Sequence, residues 1–293
     1  MANNKYYVGV ALVLLGGSFL SLSGILLRHV ESADGWQILF YRSIVYFITI
    51  LVVLVSQYRG ETLSRFKAIG REGLLAGVVL GAGSVFYIMA MLNTTVANVV
   101  FILGATPLIA ALAGWLFLKE KVSKASLVAM LFAIFGIGIM LADGFVSGGM
   151  LGNFLALILV FMFVAYLLIL RNNQGTDMLP ATCLSGLVTA GIAWTMLSGY
   201  DISQRDLTIC LLLGSVQFGL GFIMVTWGTQ YIPAAEVALF AMTETLLNPV
   251  WVWLGVGEVP SQLGLIGSAV VLVAVIGYTY ISIQRERSTR LRS

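Results

Sequence analysis

Apolar stretches follow one another along almost the entire chain, with short polar breaks between them. A bilayer core takes about 20 apolar residues in one helix, because every backbone polar group must pair within its own segment. The stretches have this length, and short connections make consecutive helices antiparallel neighbours. The fold class predicted from this pattern is an all-α membrane protein. Its ten predicted spans are residues 7–27, 36–56, 73–92, 97–118, 124–142, 149–170, 179–198, 207–228, 234–254 and 262–283.

The composition agrees with a membrane protein and excludes a soluble one. Apolar residues make up 59% of the chain and charged residues only 10%, whereas a soluble domain carries about 25% charged residues. The surrounding medium is therefore the lipid bilayer, and no nucleic-acid partner is expected. Two isolated cysteines and one histidine make neither a disulfide framework nor a metal site, so no cofactor is predicted.

Basic residues are concentrated in alternate connections, which predicts the orientation. With the N-terminus in the cytoplasm, most of the 16 lysines and arginines fall in inner segments, chiefly 57–72, 119–124 and 284–293. Arg28 and Arg205 fall outside. Cytoplasmic connections carry the excess of positive charge in membrane proteins. We therefore predict a multi-pass protein of the cell's inner (plasma) membrane with both termini in the cytoplasm.

The two halves of the chain, residues 1–143 and 144–293, resemble each other. A shift of 138 residues brings the pattern W-L-x-x-x-E-x-x-S at 115–123 onto the same pattern at 253–261. Each half holds five predicted spans, an odd number, so the second half enters the membrane upside down. We predict two inverted five-helix repeats around a central cavity, the second with a short basic tail, as in secondary transporters.

Short motifs recur at corresponding places in the two halves. They lie at residues 93–97, 106–108 and 115–120, and again at 233–235, 244–245 and 251–258. In these motifs the chain resembles the EamA branch of the drug/metabolite transporter (DMT) superfamily. The resemblance implies a secondary transporter, not an enzyme, that exports aromatic and other apolar amino acids by alternating access. Export of another small metabolite or of a cationic drug is the alternative.

Two prolines lie inside corresponding spans, Pro107 in the fourth and Pro249 in the ninth. Each lacks an amide hydrogen and frees the carbonyl oxygen four residues earlier, at Leu103 and Thr245. Such a group persists in a membrane only where protein or cavity water satisfies it. We predict that these helices line the cavity and that the two prolines act as hinges.

Glu244 is the acidic residue expected deepest in the membrane, roughly 15 Å into its span at 1.5 Å per residue. It is either a proton-responsive or substrate-amine-binding group, or a neutral acid hydrogen-bonded to a neighbouring helix. Proton coupling thus stays open, as does the oligomeric state. The other candidate substrate-binding residues are polar or aromatic residues inside spans: Ser21, Ser23, Tyr87, Asn98, Phe101, Tyr166, Gln217 and Trp227.

The remaining charged residues near the spans are interpreted as structural. A structural role for Arg42, snorkelling or holding helix-end carbonyls, is favoured over binding a substrate carboxylate. Glu120 and Glu258 are expected to be solvated or to hydrogen-bond between helices.

Other classes of membrane protein are disfavoured by the sequence. Intramembrane enzymes need a nucleophile with a base, a metal pair or an aspartate dyad. No aspartate lies inside a predicted span, which argues against an enzyme, and the mid-helix prolines argue against an open channel.

Overall fold

The computed structural model describes residues 2–118, 124–173, 176–232 and 234–290, and regular structure in these ranges is helical throughout. The helices are α1 (Ala2–Leu20), α2 (Ser23–Arg28), α3 (Gly35–Tyr58), the 3₁₀ helix Arg59–Glu61, α4 (Thr62–Ala68), α5 (Gly70–Asn93), α6 (Val96–Gly104), α7 (Thr106–Leu118), α8 (Lys124–Ser147), α9 (Met150–Asn172), α10 (Leu179–Met196), α11 (Gln204–Leu212), the π-helix Leu213–Leu220, α12 (Gly221–Gly228), α13 (Ala234–Val256) and α14 (Gln262–Arg290).

The predicted all-α membrane fold is confirmed. Within the described ranges, nine helical stretches are long and apolar enough to cross a membrane, and they coincide with nine of the predicted spans. The 23-residue helix α13 occupies the predicted ninth span, 234–254. The largest group of buried apolar side chains has most of its members on α5, α6, α8, α9 and α14.

Helix α8 is longer than the predicted fifth span, and this overturns one expectation. It continues to Ser147 and stops before Gly148, whose φ of +82° is a left-handed conformation that favours glycine. Asp143 therefore lies inside the helix and is 4% exposed. Its carboxylate lies beside Gly264 of α14, near Asn98, so the group is surrounded by polar atoms. The statement that no aspartate lies inside a span was wrong.

Three spans are irregular. The first is divided into α1 and α2 by a turn at Ser21 and Leu22, and the fourth into α6 and α7 at Ala105. The eighth contains the π-helix between α11 and α12. Short π-helical segments inside α-helices are frequently found at functional sites. The irregular stretches bring backbone polar groups into the bundle, where other protein groups must satisfy them.

Helices of the first half pack against helices of the second. α5 packs along α9 and α10, α1 along α12 and α13, α3 along α10 and the π-helix, and α8 along α14. Glycines permit two of these crossings. A methyl group at Gly136 would lie 2.9 Å from the carbonyl oxygen of Gly267, and one at Gly16 would lie 2.7 Å from that of Gly221. Small residues of this kind let helices associate closely in lipid.

Candidate functional site

The break in the first span meets the π-helix of the eighth. The carbonyl oxygen of Leu20, the last residue of α1, accepts a hydrogen bond of 3.0 Å from Nε2 of Gln217. Gln217 lies in the middle of the π-helix and is buried. Its amide oxygen has no hydrogen-bond partner among the residues that the structure describes. Gln217 thus joins two irregular segments, one from each half, and its amide oxygen stays available as an acceptor.

Ser23, the first residue of α2, is the centre of a buried hydrogen-bond network. Its hydroxyl oxygen lies 2.6 Å from the hydroxyl of Tyr87 on α5 and accepts from Nδ2 of Asn248 on α13 at 2.8 Å. Asn248 in turn accepts the backbone N–H of Gly24 at 3.1 Å, an approach that any side chain at Gly24 would block. We call Ser23, Tyr87 and Asn248 the Ser23 cluster; it joins helices from both halves.

A second set of contacts joins α1 to α13 beside the Ser23 cluster. The indole nitrogen of Trp251 donates to the hydroxyl of Ser21 at 2.9 Å. Two turns earlier on α13, Glu244 is half-buried, with its backbone next to Gly17 of α1. Five of the predicted substrate-binding residues are therefore found around the break in the first span: Ser21, Ser23, Tyr87, Gln217 and Glu244.

Arg42 is buried in the bundle and does not snorkel to the surface. It is 2% exposed, and its Nη1 donates to the hydroxyl of Ser84 on α5 at 2.9 Å. The guanidinium carbon lies 4.7 Å from the centre of the Phe218 ring in the π-helix, a cation–π contact. The Phe218 ring also packs against Tyr46, one turn further along α3. Nε and Nη2 of Arg42 have no partner within the described ranges.

The fourth span is broken where proline was expected to disturb its hydrogen bonding. α6 and α7 are separated at Ala105, and the hydroxyl of Thr106 donates to the carbonyl oxygen of Leu103. This is the carbonyl that Pro107 was predicted to free. A side-chain donor thus replaces the amide hydrogen that proline lacks.

The ninth span behaves differently. α13 continues through Pro249 without interruption. It touches the broken fourth span at Gly104, where a methyl group would lie 3.2 Å from the side chain of Thr245. The two proline-containing helices are therefore in contact, and the break itself lies in the fourth span.

Two further predicted residues lie on α6. Asn98 is buried towards the predicted outer end of the helix, where its Nδ2 lies 3.4 Å from the hydroxyl of Thr94. Phe101 is partly buried against the largest apolar group. The structure does not bring Asn98 to the Ser23 cluster, since it faces α8 and α14 instead.

Tyr166 and Trp227 also lie apart from the Ser23 cluster. Tyr166 belongs to a separate buried group between α5, α9 and α10, and its hydroxyl lies 3.1 Å from that of Thr182. Trp227 is 42% exposed near the end of α12. Its neighbour Gly228 packs against Gly9, about three turns of α1 before the break. Trp227 is therefore not part of the candidate site.

Arg28 and Glu258 join the halves at the predicted outer ends of the helices. Nε of Arg28 lies 2.6 Å from one carboxylate oxygen of Glu258, and the other accepts the N–H of Val96 at 2.7 Å. Arg28 also donates to the carbonyl oxygens of Met91 and Thr94. The pair thus satisfies the end of α5 and the start of α6. Of the two roles considered for Glu258, the structure has the interhelical hydrogen bond.

A second acidic residue holds the same end of the bundle. Asp206, at the start of α11, is fully buried and accepts backbone N–H groups of Glu31, Ser32 and Ala33 and the hydroxyl of Ser32. It fixes the connection between α2 and α3 against the second half. Glu120, the counterpart of Glu258 in the first half, lies outside the described residues.

Sequence reasoning missed several of these residues. An acid at the end of a span, such as Asp206, is usually solvated, so nothing marked it as buried. Asn248 did carry a signal, because an amide beside Pro249 in the middle of an apolar span needs a hydrogen-bonding partner. The partner itself, Ser23, is 225 positions away in the chain.

Comparison with known proteins bears on the same helices. The EamA-like transporter family matches residues 7–142. Solute carrier family 35 member G1 of Mus musculus is 22% identical over 296 residues, which cover 93% of this chain and 78% of that protein. The pseudopaline exporter CntI of Pseudomonas aeruginosa (strain UCBPP-PA14) is 25% identical over 276 residues, covering 92% and 94%.

A solved structure, titled only as the crystal structure of a protein, has the same fold. The TM-score is 0.64 at 15% identity, and the match covers 96% of this chain and 99% of that one. At this identity the likeness concerns the fold alone. The sequence matches point to a transporter and not to an enzyme. The chain is thus similar to the EamA-like transporter family over residues 7–142, and to two transporters along nearly its whole length.

Proposed function

We propose that the protein is a secondary transporter that exports aromatic and other apolar amino acids across the inner membrane by alternating access. The observation that carries the proposal is the break in the first span, where the Ser23 cluster gathers buried polar groups from α2, α5 and α13. Secondary transporters bind their substrates near the midplane, at discontinuous helices between two repeats. Polar groups inside the membrane are costly and typically mark such a pathway.

The groups around the break suit a zwitterion with an apolar body. Glu244 and the free amide oxygen of Gln217 are acceptors for a substrate ammonium group, and Tyr87 offers an aromatic ring. A good ring pair contributes about 0.5–1.5 kcal/mol beyond burial, or at most roughly tenfold in affinity. We therefore expect a preference for phenylalanine, tyrosine and tryptophan, with methionine and other apolar amino acids as weaker substrates.

Two similarities bear on the choice of substrate. The sequence resembles YddG, an exporter of aromatic amino acids, and this favours the first candidate. One relative is named a pseudopaline exporter, which favours export of a small metabolite in a wider sense. Export of another metabolite or of a cationic drug is therefore kept as the second candidate.

The inverted-repeat organisation, with residues 1–143 and 144–293 as the two units, is part of the proposal. Contacts between helices support it. The third span packs on the sixth (α5 on α9), which is the first span of the second half. In the same way the first span packs on the eighth (α1 on α12), which is the third span of the second half. The second, fourth and fifth spans each pack against their own counterpart: α3 on α10, α6 on α13 and α8 on α14. In such an arrangement the two repeats can exchange their conformations, which converts an inward-open state into an outward-open one.

The test is transport by the purified protein in proteoliposomes loaded in turn with labelled tryptophan, phenylalanine, methionine, alanine and a cationic dye. We expect the fastest efflux for the two aromatic amino acids. Tyr87→Ala should slow their efflux more than that of alanine. Trp227→Ala is the matched control, because it truncates an exposed aromatic side chain outside the candidate site. Efflux of the dye, but of no amino acid, would overturn the proposed substrate.

A further inference from the structure

Arg42 brings a charge into the bundle that the described residues do not neutralise. Its side chain is among the largest that are fully buried. The ion pairs of the described residues involve other arginines, and Arg42 contacts a hydroxyl, that of Ser84, and an aromatic ring, that of Phe218. A buried charge without a counter-charge is strongly destabilising. In a membrane protein such a residue normally faces a ligand or ion pathway.

The two unused donors lie on one edge of the guanidinium group. Nη1 is taken by Ser84, which leaves Nε and Nη2, whose hydrogens point in the same direction from the planar group. This edge matches the spacing of the two oxygens of a carboxylate, and the bidentate pair is stronger than a single charged hydrogen bond. The geometry therefore selects a carboxylate ligand over an amine or a neutral molecule.

We propose that the free edge of Arg42 binds the carboxylate group of the transported substrate, an inference that rests on the proposed function. Ser84, the partner of Arg42, and Tyr87 of the Ser23 cluster lie about one turn apart on α5. In the proposed pose a zwitterion has its carboxylate at Arg42 and its ammonium group towards the Ser23 cluster and Glu244. The proposed substrate class is thereby narrowed to small carboxylates with an apolar body. A cationic drug, which belongs to the second candidate function, would not use this edge of Arg42.

The edge is closed in this structure, so binding requires a local movement. Nε and Nη2 are buried, and the π-helix lies against the same residue: the guanidinium carbon stands over the ring of Phe218, and Gly214 packs so closely on the backbone carbonyl oxygen of Arg42 that any side chain there would collide. Of the two elements that contact the guanidinium group, α5 and the π-helix, the π-helix has the less regular hydrogen bonding. We place the movement in the π-helix, whose displacement opens Nε and Nη2 to the carboxylate.

The experiment measures thermal stabilisation of the purified protein by four probes that share a phenyl ring: phenylalanine, phenylalaninamide, 3-phenylpropionate and phenethylamine. We expect stabilisation by the two carboxylates and none by the two amines. Arg42→Gln should weaken carboxylate binding by roughly tenfold or more, the size of a lost charged hydrogen bond. Arg42→Lys keeps the charge without the bidentate edge and should be intermediate. Arg205→Gln, at an exposed arginine, is the control and should bind as the wild type does.

Each outcome decides the proposal. Equal stabilisation by acids and amines, or by no carboxylate at all, overturns it, and so does an Arg42→Gln variant that still prefers carboxylates. If Arg42→Gln does not fold, the wild-type probe series decides alone. The proposed function is judged separately by efflux. If no amino acid is transported but 3-phenylpropionate stabilises the wild type and not Arg42→Gln, the carboxylate site stands and the amino-acid substrate falls.

Discussion

Buried polar residues in this protein differ in how completely they are hydrogen-bonded. Asp206 accepts three backbone N–H groups and a hydroxyl, and it fixes a connection in place. Arg42 and Gln217 each retain polar atoms without a partner in the described part of the chain. A buried unsatisfied group costs about 1–3 kcal/mol. We assign the complete network of Asp206 to structure and propose that a ligand supplies the missing partners of Arg42 and Gln217.

The role of Glu244 in transport can be separated from its role in packing by the substitution Glu244→Gln, which preserves the size of the side chain and removes the titratable group. If the carboxylate takes up a proton or a substrate ammonium group, the variant should transport phenylalanine roughly tenfold or more slowly. Its rate should also vary less with pH than that of the wild type. The measurement is efflux from proteoliposomes at a series of pH values. Glu61→Gln, in an exposed ion pair with Arg65, is the control.

A Glu244→Gln variant with a wild-type rate and pH profile would assign the residue a structural role. Its thermal unfolding would have to match the wild type for that conclusion.

Among the elements, the broken fourth span is the one whose bend has an identified cause. Pro107→Ala restores an amide donor that competes with Thr106 for the carbonyl oxygen of Leu103. A straighter, more regular helix should slow turnover severalfold and leave substrate affinity nearly unchanged. Pro180→Ala is the matched control, because proline in the first turn of α10 interrupts no helical hydrogen bond.

The measurements are efflux rate and binding affinity for the two variants. Pro249→Ala, in the counterpart helix, is expected to act in the same direction. Wild-type turnover in both Pro107→Ala and Pro249→Ala would refute the hinge.

The predicted outer ends of the helices are held together by Arg28 and Glu258. Glu258→Gln removes the ion pair and weakens the cap on α6, so the outer side should open more often. Cys210, buried one turn beyond Asp206, reports this opening if Cys183 is first replaced by alanine. We expect a membrane-impermeant maleimide added from outside to label Cys210 several times faster in Glu258→Gln.

Glu31→Gln, in the exposed pair with Arg205, should leave the labelling rate unchanged. Unchanged labelling in Glu258→Gln as well would show that this ion pair does not control access.

For the whole molecule, apolar length was enough to predict where helices cross the membrane, because the bilayer sets that length. It could not predict the break at Ser21, since no proline marks it, nor the π-helix, whose sequence is that of an ordinary apolar helix. It also failed at Asp143, because a helix can extend beyond its apolar run when polar neighbours receive the acid. Five of the nine predicted substrate-binding residues lie together around the break, and the pairing of Ser23 with Asn248 needed the folded structure.

The central claim, an alternating-access carrier with its site at the break in the first span, is tested most directly by counterflow. Proteoliposomes preloaded with unlabelled phenylalanine are given labelled tryptophan outside, and its uptake is compared with that of unloaded vesicles. In an alternating-access carrier the binding site reorients faster when substrate is bound than when it is empty. Vesicles preloaded with phenylalanine should therefore take up labelled tryptophan several times faster than unloaded ones. Tyr87→Ala should lose this acceleration and Trp227→Ala should keep it. Uptake that does not respond to preloading, or that equals uptake by protein-free vesicles, would contradict the account.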